Sequence, residues 1–170
     1  MQEQTLRRLL AEITGPDEKA RRAAHDRWSA CAKPLGGLGL LETMVEDIAA
    51  LIGSADVRLE KRTLLVLCAD NGVVAEGVSQ TGSEVTAVVA RQLAAGHSTA
   101  CRMARVARCA VMPVDMGILN LPPLPGVVDA RVANGTGNIA RGPAMTREQA
   151  ARAVLAGMGI TAVIQSSSAT

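Results

Sequence analysis

The sequence contains almost no aromatic side chains. Among its 170 residues there is no Phe and no Tyr, and Trp28 is the single Trp, although 48% of the residues are hydrophobic. A core must therefore be built from Leu, Val, Ile, Met and Ala, and there are no rings on which single-stranded nucleic-acid bases would stack. The net charge of +2 is too small to indicate a polyanionic partner. We therefore expect no nucleic-acid partner.

Signals for metal binding and for membrane insertion are missing as well. The four cysteines form no Cys-x-x-Cys pair and have no histidine at metal-ligand spacing, so we expect reduced thiols and no metal. The first residues, MQEQTLRRLLAEI, have the pattern of an amphipathic helix rather than of a signal peptide. No apolar run approaches the roughly 20 residues that cross a bilayer. These absences predict a soluble, cytoplasmic protein without a membrane segment.

The first part of the sequence, residues 1–53, is predicted to be helical. Pro16 suits a first helical turn, where the acidic Asp17 and Glu18 would face the positive end of the helix dipole. Apolar residues then recur at helical spacing from 38 to 52, and this stripe stops at Gly53, a typical helix end.

Three short apolar segments predict a parallel sheet. Residues 63–68 show no alternation, as expected of a strand that is covered on both faces. Residues 110–115 contain Pro113, which predicts an edge strand or a local irregularity. Residues 127–132 are a third candidate. The fold class is therefore α/β, a partial parallel sheet of the Rossmann-like three-layer type with an amino-terminal helical segment.

Capping patterns place the helices that follow the first and third strands. Thr81 with Glu84, and Thr146 with Gln149, have the spacing of capping boxes. The segment from Gly157 predicts a helix end, then a strand, and finally an unstructured serine tail. The predicted division of the chain is into residues 1–53, 54–160 and 161–170.

Two strands end alike, in CADNG and PVDMG, and each places an aspartate just beyond its apolar run. Ligands of open parallel sheets bind at the carboxyl edge of the strands, so Asp70 and Asp115 are predicted to face one site. Aspartates at such positions also commonly cap turns. The sequence alone leaves both interpretations open.

A glycine-rich segment follows the third strand. Gly135, Gly137 and Ala140 have the spacing G-x-G-x-x-A, but Gly142 and Pro143 interrupt the chain before any helix opens. The segment is therefore either a loop that approaches a ligand closely or a structural turn.

Taken together, the motifs AKPLGGLGLLE, CADNGVVAEGVSQTGSEVTA, VDMGI and PGVVDARVANGTGNIARGPAMTREQA carry a family resemblance. The chain resembles the amino-terminal half of nicotinate-nucleotide–dimethylbenzimidazole phosphoribosyltransferases. This resemblance implies transfer of phosphoribose from nicotinate mononucleotide to a benzimidazole-type base, without a metal or another cofactor. It also implies a homodimer or association with a second chain.

The resemblance places the family's glutamate base and phosphate loop in the second half, so no catalytic residue is expected among these 170 residues. Two functions remain open. The chain is either half of an enzyme that needs a second polypeptide, or a non-catalytic half-site that binds a ring.

The resemblance also implies a set of substrate-binding residues. Other members often have histidine where this chain has Asn71, and a Ser-Pro pair and a glutamine where it has Thr81, Gly82 and Val89, which leaves benzimidazole, purine and phenol bases open. The predicted binding residues are Asp70, Asn71, Gly72, Glu76, Thr81, Val89, Asp115, Gly135, Gly137 and Asn138.

Overall fold

A computed structural model describes the backbone of residues 1–168 and the side chains of residues 1–164. The chain divides into two compact units, one formed by Leu9–Glu60 and the other by Met1–Arg8 together with the chain from Lys61 onward. The first helix, α1 (Gln2–Ala11), forms as its amphipathic pattern predicted. The proposed division at residues 53 and 160 stays a prediction.

The unit Leu9–Glu60 contains two helices, α2 (Glu18–Ser29) and α3 (Leu40–Ile52). Asp17 was predicted to lie in the first turn of α2, but it precedes the helix and caps it. Its carboxylate accepts hydrogen bonds from the backbone N–H groups of Lys19 at 2.9 Å and Ala20 at 3.0 Å. Gly53 ends α3 in the left-handed conformation, which confirms the predicted stop.

The turn before α3 is held by the buried carboxylate of Glu42. Its Oε1 accepts a hydrogen bond from the Leu38 N–H and lies 2.9 Å from the Lys33 Nζ. The hydrogen bond from Lys33, with help from the Leu38 N–H, holds the pKa of the Glu42 carboxyl below its usual value. Lys33 also lies over the ring of Trp28, with its Nζ 5.7 Å from the ring centroid.

The apolar stripe of α3 is only partly covered. Ala49 and Ala50 are buried, whereas Leu41, Met44 and Leu51 are 53%, 60% and 77% exposed. The helical period was therefore predicted correctly, but much of the stripe faces outward within the described residues.

The other unit contains a parallel sheet of three strands in the order β1 (Thr63–Ala69), β2 (Ala110–Gly117) and β3 (Val128–Asp129). The α/β class and the parallel arrangement are confirmed, although β3 covers only two of the six residues predicted for the third strand.

The central strand is β2, so the alternative that Pro113 marks an edge strand is wrong. The Ala110 N–H donates toward β1, to the Arg62 carbonyl, whereas the Asp115 carbonyl accepts from Ala130 beyond β3. Because backbone groups alternate along a strand, Pro113 faces the β3 side. Pairing with β3 begins only at Val114, so the proline removes no ladder hydrogen bond.

A 3₁₀ helix (Gly72–Glu76) follows β1, and then come α4 (Glu84–Ala94) and α5 (Thr99–Val106), which pack on one face of the sheet. The predicted capping box at Thr81 is wrong, since α4 starts at Glu84 after Ser83 without a side-chain cap. The buried core of this unit includes Cys68, Ala90, Leu93, Cys101, Ile118 and Leu121.

The last helix is α6 (Arg147–Ser168). Its capping box is confirmed, because the Thr146 Oγ1 accepts from the Gln149 N–H at 3.1 Å and the Gln149 Oε1 accepts from the Thr146 N–H at 2.8 Å. The strand predicted after Gly157 is wrong, since the helix continues through that glycine, which costs a helix only about 1 kcal/mol relative to alanine. Residues 161–168, predicted as part of an unstructured tail, belong to α6, so this part of the prediction is also wrong, and residues 169 and 170 lie outside the described residues.

Candidate functional site

The candidate site lies at the carboxyl ends of β1 and β2, where two buried aspartates hold one loop. The Asp115 Oδ1 accepts hydrogen bonds from the backbone N–H groups of Gly117 at 2.9 Å and Ile118 at 2.8 Å. The Asp70 Oδ2 accepts from the next N–H, that of Leu119, at 2.8 Å. Both aspartates are 4% exposed. Three successive N–H groups are thus held by the carboxylates at the ends of two neighbouring strands. This geometry agrees with the prediction that Asp70 and Asp115 face one site at the carboxyl edge of the sheet.

A third side chain, Arg131, neutralises the second aspartate. Its Nε donates to the Asp115 Oδ2 at 3.2 Å, and its Nη2 donates to the same oxygen and to the Leu121 carbonyl. All oxygens of this carboxylate therefore have partners inside the protein, as a buried charge requires. Sequence reasoning missed Arg131, because a single arginine beyond a two-residue strand carries no motif.

Cys68 lies on β1 close to both carboxylates. Burial raises the pKa of its thiol, and the charges of Asp115 and Asp70 raise it further. The thiol is therefore neutral near pH 7 and behaves as the small core residue that the sequence predicted.

The glycine-rich segment is locked against the end of β1. The Gly72 N–H donates to the Thr136 Oγ1 at 3.2 Å, and the Thr136 N–H donates to the Asp70 carbonyl at 3.0 Å. A Cβ on Gly72 would lie only 2.6 Å from the Thr136 carbonyl oxygen and 2.8 Å from the Asn138 nitrogen. Only glycine allows this approach of two segments that are more than 60 residues apart in the sequence.

Two further glycines shape the segment itself. Gly135 has a φ of +76° and donates its N–H to the Gly117 carbonyl, which also accepts from the Asp70 N–H. Gly137 donates to the Ala144 carbonyl at 2.8 Å. The next helix, α6, opens only at Arg147, so the segment lacks the direct glycine-to-helix passage of a dinucleotide fold.

A hollow of about 500 Å³ lies beside this segment. Of the ten predicted binding residues, Gly135 and Gly137 line it. The full lining consists of Ala133, Gly135, Gly137, Pro143, Ala144, Met145, Thr146, Arg147 and Gln149.

The 3₁₀ helix after β1 is tied to the same segment by Glu76. Its Oε1 accepts a hydrogen bond from the Asn138 Nδ2 at 2.6 Å and from the Arg141 Nε at 2.8 Å. The Asn138 Oδ1 in turn accepts from the Ala140 N–H at 3.0 Å. Glu76 is thus a bridge between two loops rather than a free carboxylate, and Arg141 is a second partner that the sequence did not indicate.

Thr81 and Val89 lie apart from this hydrogen-bonded network. Thr81 is exposed, and its N–H donates to the Ser79 Oγ at 3.3 Å. Val89 is 44% exposed on α4. Asn71 is exposed and uses its carbonyl to accept from the Val74 N–H. No hydrogen bond between described residues joins Thr81 or Val89 to the buried aspartates, so their part in binding stays a prediction.

Within the described part of the chain, no three His, Cys, Asp or Glu side chains are grouped so that they could hold a metal ion. None of the helices described here is both long and apolar enough to span a membrane.

A parallel α/β sheet with glycine loops fixed at its carboxyl edge defines a class of proteins that bind ligands at that edge. The family model described as "Phosphoribosyltransferase" matches residues 13–170, and the chain belongs to this family.

The similar proteins are more specific. A nicotinate-nucleotide–dimethylbenzimidazole phosphoribosyltransferase from Salmonella agona is 43% identical over 148 residues, which are 86% of this chain and 41% of the relative. The enzyme of the same name from Halalkalibacterium halodurans is 35% identical over 157 residues, 92% of this chain and 44% of its own length. These matches confirm the family resemblance that the motifs indicated.

Solved structures agree with the sequence relatives. A crystal structure of nicotinate-nucleotide–dimethylbenzimidazole phosphoribosyltransferase from Thermus thermophilus has a TM-score of 0.74 at 40% identity and covers 83% of this chain. A structure of CobT from the same organism has a TM-score of 0.78 at 37% identity and covers 88%. The match covers 43% and 45% of those two chains. This chain thus spans less than half the length of the relatives that it matches.

Proposed function

We propose that this chain forms the ring-holding part of a phosphoribosyltransferase site that acts on nicotinate mononucleotide and 5,6-dimethylbenzimidazole. The observation that carries the proposal is the contact of Gly72 with residues 136–138. It brings together the two motifs that most resemble the family, at the edge of the sheet where ligands bind.

The reaction would place most of its demand on positioning. A ring nitrogen of the benzimidazole attacks the anomeric carbon of the ribose, the bond to nicotinate breaks, and the configuration inverts to give α-ribazole 5'-phosphate. The pyridinium already carries a positive charge, so its departure needs no acid. A general base must take the azole proton, and the two rings must be held in line. We assign no catalytic base to this chain.

The predicted residues would have different roles in such a site. Asp70 and Asp115 are positioning residues, because their carboxylates are already used by the backbone of the 117–119 loop. Glu76 is also a positioning residue, since Asn138 and Arg141 occupy its Oε1.

Direct contacts would come from the remaining positions. Thr81, Val89 and Asn71 are exposed, and all three would contact the attacking ring. Gly135 and Gly137 would let the nucleotide approach the backbone at the hollow. A hydrophobic Val89 in place of an amide favours a base that needs no hydrogen bond there.

Equilibrium dialysis of the pure chain with dimethylbenzimidazole and, separately, with nicotinate mononucleotide tests the proposal. We expect saturable binding of the ring by the wild-type chain and a changed preference among azole, purine and phenol rings in Val89→Gln. Val106→Gln is the matched control, because Val106 is 88% exposed on another helix. Absence of saturable binding of either compound would contradict the proposal.

A second function is that of a non-catalytic ring-binding module, because the carboxylates of Asp115, Asp70 and Glu76 already accept hydrogen bonds from other groups of the chain. Incubation of the chain with both substrates separates the two. α-Ribazole phosphate formed by the chain alone would exclude the module, whereas ring binding without turnover would exclude independent catalysis. We expect binding without independent turnover.

A further inference from the structure

Asparagine followed by glycine occurs twice in this sequence, and both pairs lie in the candidate site. Asn71-Gly72 follows β1, and Asn134-Gly135 lies in the glycine-rich segment. Glycine has no Cβ, so its backbone nitrogen can approach the side chain of the residue before it without steric hindrance. That nitrogen can attack the side-chain amide carbon of the asparagine. Asn-Gly pairs are therefore particularly prone to spontaneous deamidation.

The structure restrains both reacting groups at Asn134. The Asn134 Nδ2 donates to the Asn120 Oδ1 at 3.0 Å, and the Asn134 Oδ1 accepts from the Asn120 N–H at 2.7 Å. Asn120 has a φ of +53°, a conformation that asparagine adopts more readily than most residues. The nitrogen that would attack, that of Gly135, donates its proton to the Gly117 carbonyl at 3.1 Å. Three hydrogen bonds must therefore open before Asn134 can react.

The side chain of Asn71 has no such restraint. It is exposed, and none of the hydrogen bonds between residues 1–164 uses it. The N–H of Gly72 makes one hydrogen bond, to the Thr136 Oγ1 at 3.2 Å. The backbone there is also closely packed, since a Cβ on Gly72 would lie 2.6 Å from the Thr136 carbonyl oxygen. The Gly72 contact is therefore the main restraint on attack at Asn71.

We propose that Asn71 is a site of spontaneous deamidation and that the contact of Gly72 with residues 136–138 controls its rate. When the contact opens, the Gly72 nitrogen loses its proton and attacks the Asn71 Cγ. A bond forms between these two atoms, the bond from Cγ to Nδ2 breaks, and ammonia leaves with the proton. Water then opens the cyclic imide at either carbonyl, which gives aspartate or isoaspartate at position 71. Water is the only co-reactant.

Both products would alter the candidate site. Each places a new carboxylate directly after Asp70, which is 4% exposed, and like charges repel one another. Isoaspartate also inserts a methylene into the backbone before Gly72, which is incompatible with the close approach of Gly72 to Thr136. Ring binding should therefore fall as Asn71 is converted. This consequence rests on the proposed function, whereas the modification itself does not.

Prolonged incubation at mildly alkaline pH, followed by peptide mapping with mass spectrometry, measures conversion at each asparagine. In the folded chain Asn71 should convert about tenfold or more faster than Asn134, because two more hydrogen bonds restrain Asn134. In concentrated urea, where the tertiary contacts are absent, the two rates should become similar. Equal rates in the folded chain, or no conversion of Asn71 there, would overturn the proposal.

Two substitutions test the control of the rate at the two asparagines separately. Thr136→Val removes the acceptor of the Gly72 N–H and should raise the conversion rate of Asn71 about fivefold, with little effect on Asn134. Asn120→Gly removes one hydrogen bond to Asn134 and tolerates the positive φ, so it should raise conversion at Asn134 and not at Asn71. An unchanged rate at Asn71 in Thr136→Val would overturn the proposal.

Dialysis against dimethylbenzimidazole tests the consequence for the site. Ring binding should fall in proportion to the converted fraction of the wild-type chain. Asn71→Gln should keep whatever binding it starts with during the incubation, because glutamine forms the larger cyclic imide far more slowly. Binding that does not depend on conversion would overturn the consequence. If the unmodified chain binds no ring, the proposed function fails while the conversion rates still test the deamidation, so the two can fail separately.

Discussion

Substitution of Gly72 by alanine tests the contact on which the candidate site depends. The added Cβ would lie 2.6 Å from the Thr136 carbonyl oxygen, 2.7 Å from the Gly137 carbonyl carbon and 2.8 Å from the Asn138 nitrogen. All three neighbours are backbone atoms, so no side chain can rotate away. Ordinary contacts lie near 3.5–4.0 Å, and the two segments would have to separate by about 1 Å.

The expected cost follows from three contributions. Forcing a methyl group into a closely packed site costs about 1–3 kcal/mol. Separation of the segments also weakens the hydrogen bond from the Gly72 N–H to the Thr136 Oγ1, which contributes about 0.5–1.5 kcal/mol. Alanine also has less backbone freedom than glycine in the unfolded chain, which raises the free energy of unfolding by about 0.4–1 kcal/mol. We therefore expect the free energy of unfolding to fall by about 2 kcal/mol.

Urea unfolding followed by circular dichroism measures this change, and dialysis against dimethylbenzimidazole measures its effect on the site. Gly157→Ala is the matched control, because nothing lies within 4 Å of a Cβ at that helical glycine. The control should be unchanged or more stable by up to about 1 kcal/mol. If both variants agree within about 0.5 kcal/mol, the close approach of the two segments is refuted.

Three further predictions concern charged groups. Arg131→Met keeps the aliphatic stem but leaves the buried Asp115 without its cation, and should lower the free energy of unfolding by about 2–4 kcal/mol in urea. Glu76→Gln removes a partly exposed ion pair and should cost less than about 1 kcal/mol. It should nevertheless speed hydrogen exchange in the loop around Asn138 and weaken ring binding. Glu42→Gln should abolish an acid-induced change in the fluorescence of Trp28.

The sign of the last effect follows from the pKa. The hydrogen bond from Lys33 lowers the pKa of the Glu42 carboxyl in the folded chain below its ordinary value. The stabilising contact is therefore fully present above the ordinary pKa of the carboxyl and is lost as pH falls through the lowered pKa. Lys33 joins Glu42 to the environment of Trp28, which is the only tryptophan. The fluorescence of the wild-type chain is therefore expected to change in acid, below the ordinary pKa of a glutamate side chain.

Three results would contradict these predictions. The first is wild-type stability in Arg131→Met. The second is unchanged exchange around Asn138 in Glu76→Gln. The third is an acid transition of the wild-type chain that persists in Glu42→Gln.

Local signals predicted much of the fold. The helix end at Gly53, the strand from Thr63 and the capping box of Thr146 and Gln149 depend on contacts within a few residues, and the structure confirms them. The box proposed at Thr81 failed, although its spacing is the same. A capping pattern permits a helix to start but does not require it.

The family motifs indicated the segments that form the candidate site, but not how their side chains are used. Asp70 and Asp115 bind the backbone of one loop, and Glu76 binds Asn138 and Arg141. The carboxylates therefore satisfy donors of the protein itself, which is the structural alternative that the sequence had left open. Arg131 could not have been predicted, because its partner Asp115 is 16 residues away and lies on β2.

The sequence by itself determined the family, the order of helices and parallel strands, and the glycines at the carboxyl edge, since each depends on short patterns of residues. Only the tertiary structure decided that Gly72 must be a glycine and that Pro113 is harmless in a central strand. These features depend on distances and strand neighbours between residues that are far apart in the chain. No local pattern encodes them, because they exist only once the segments have packed.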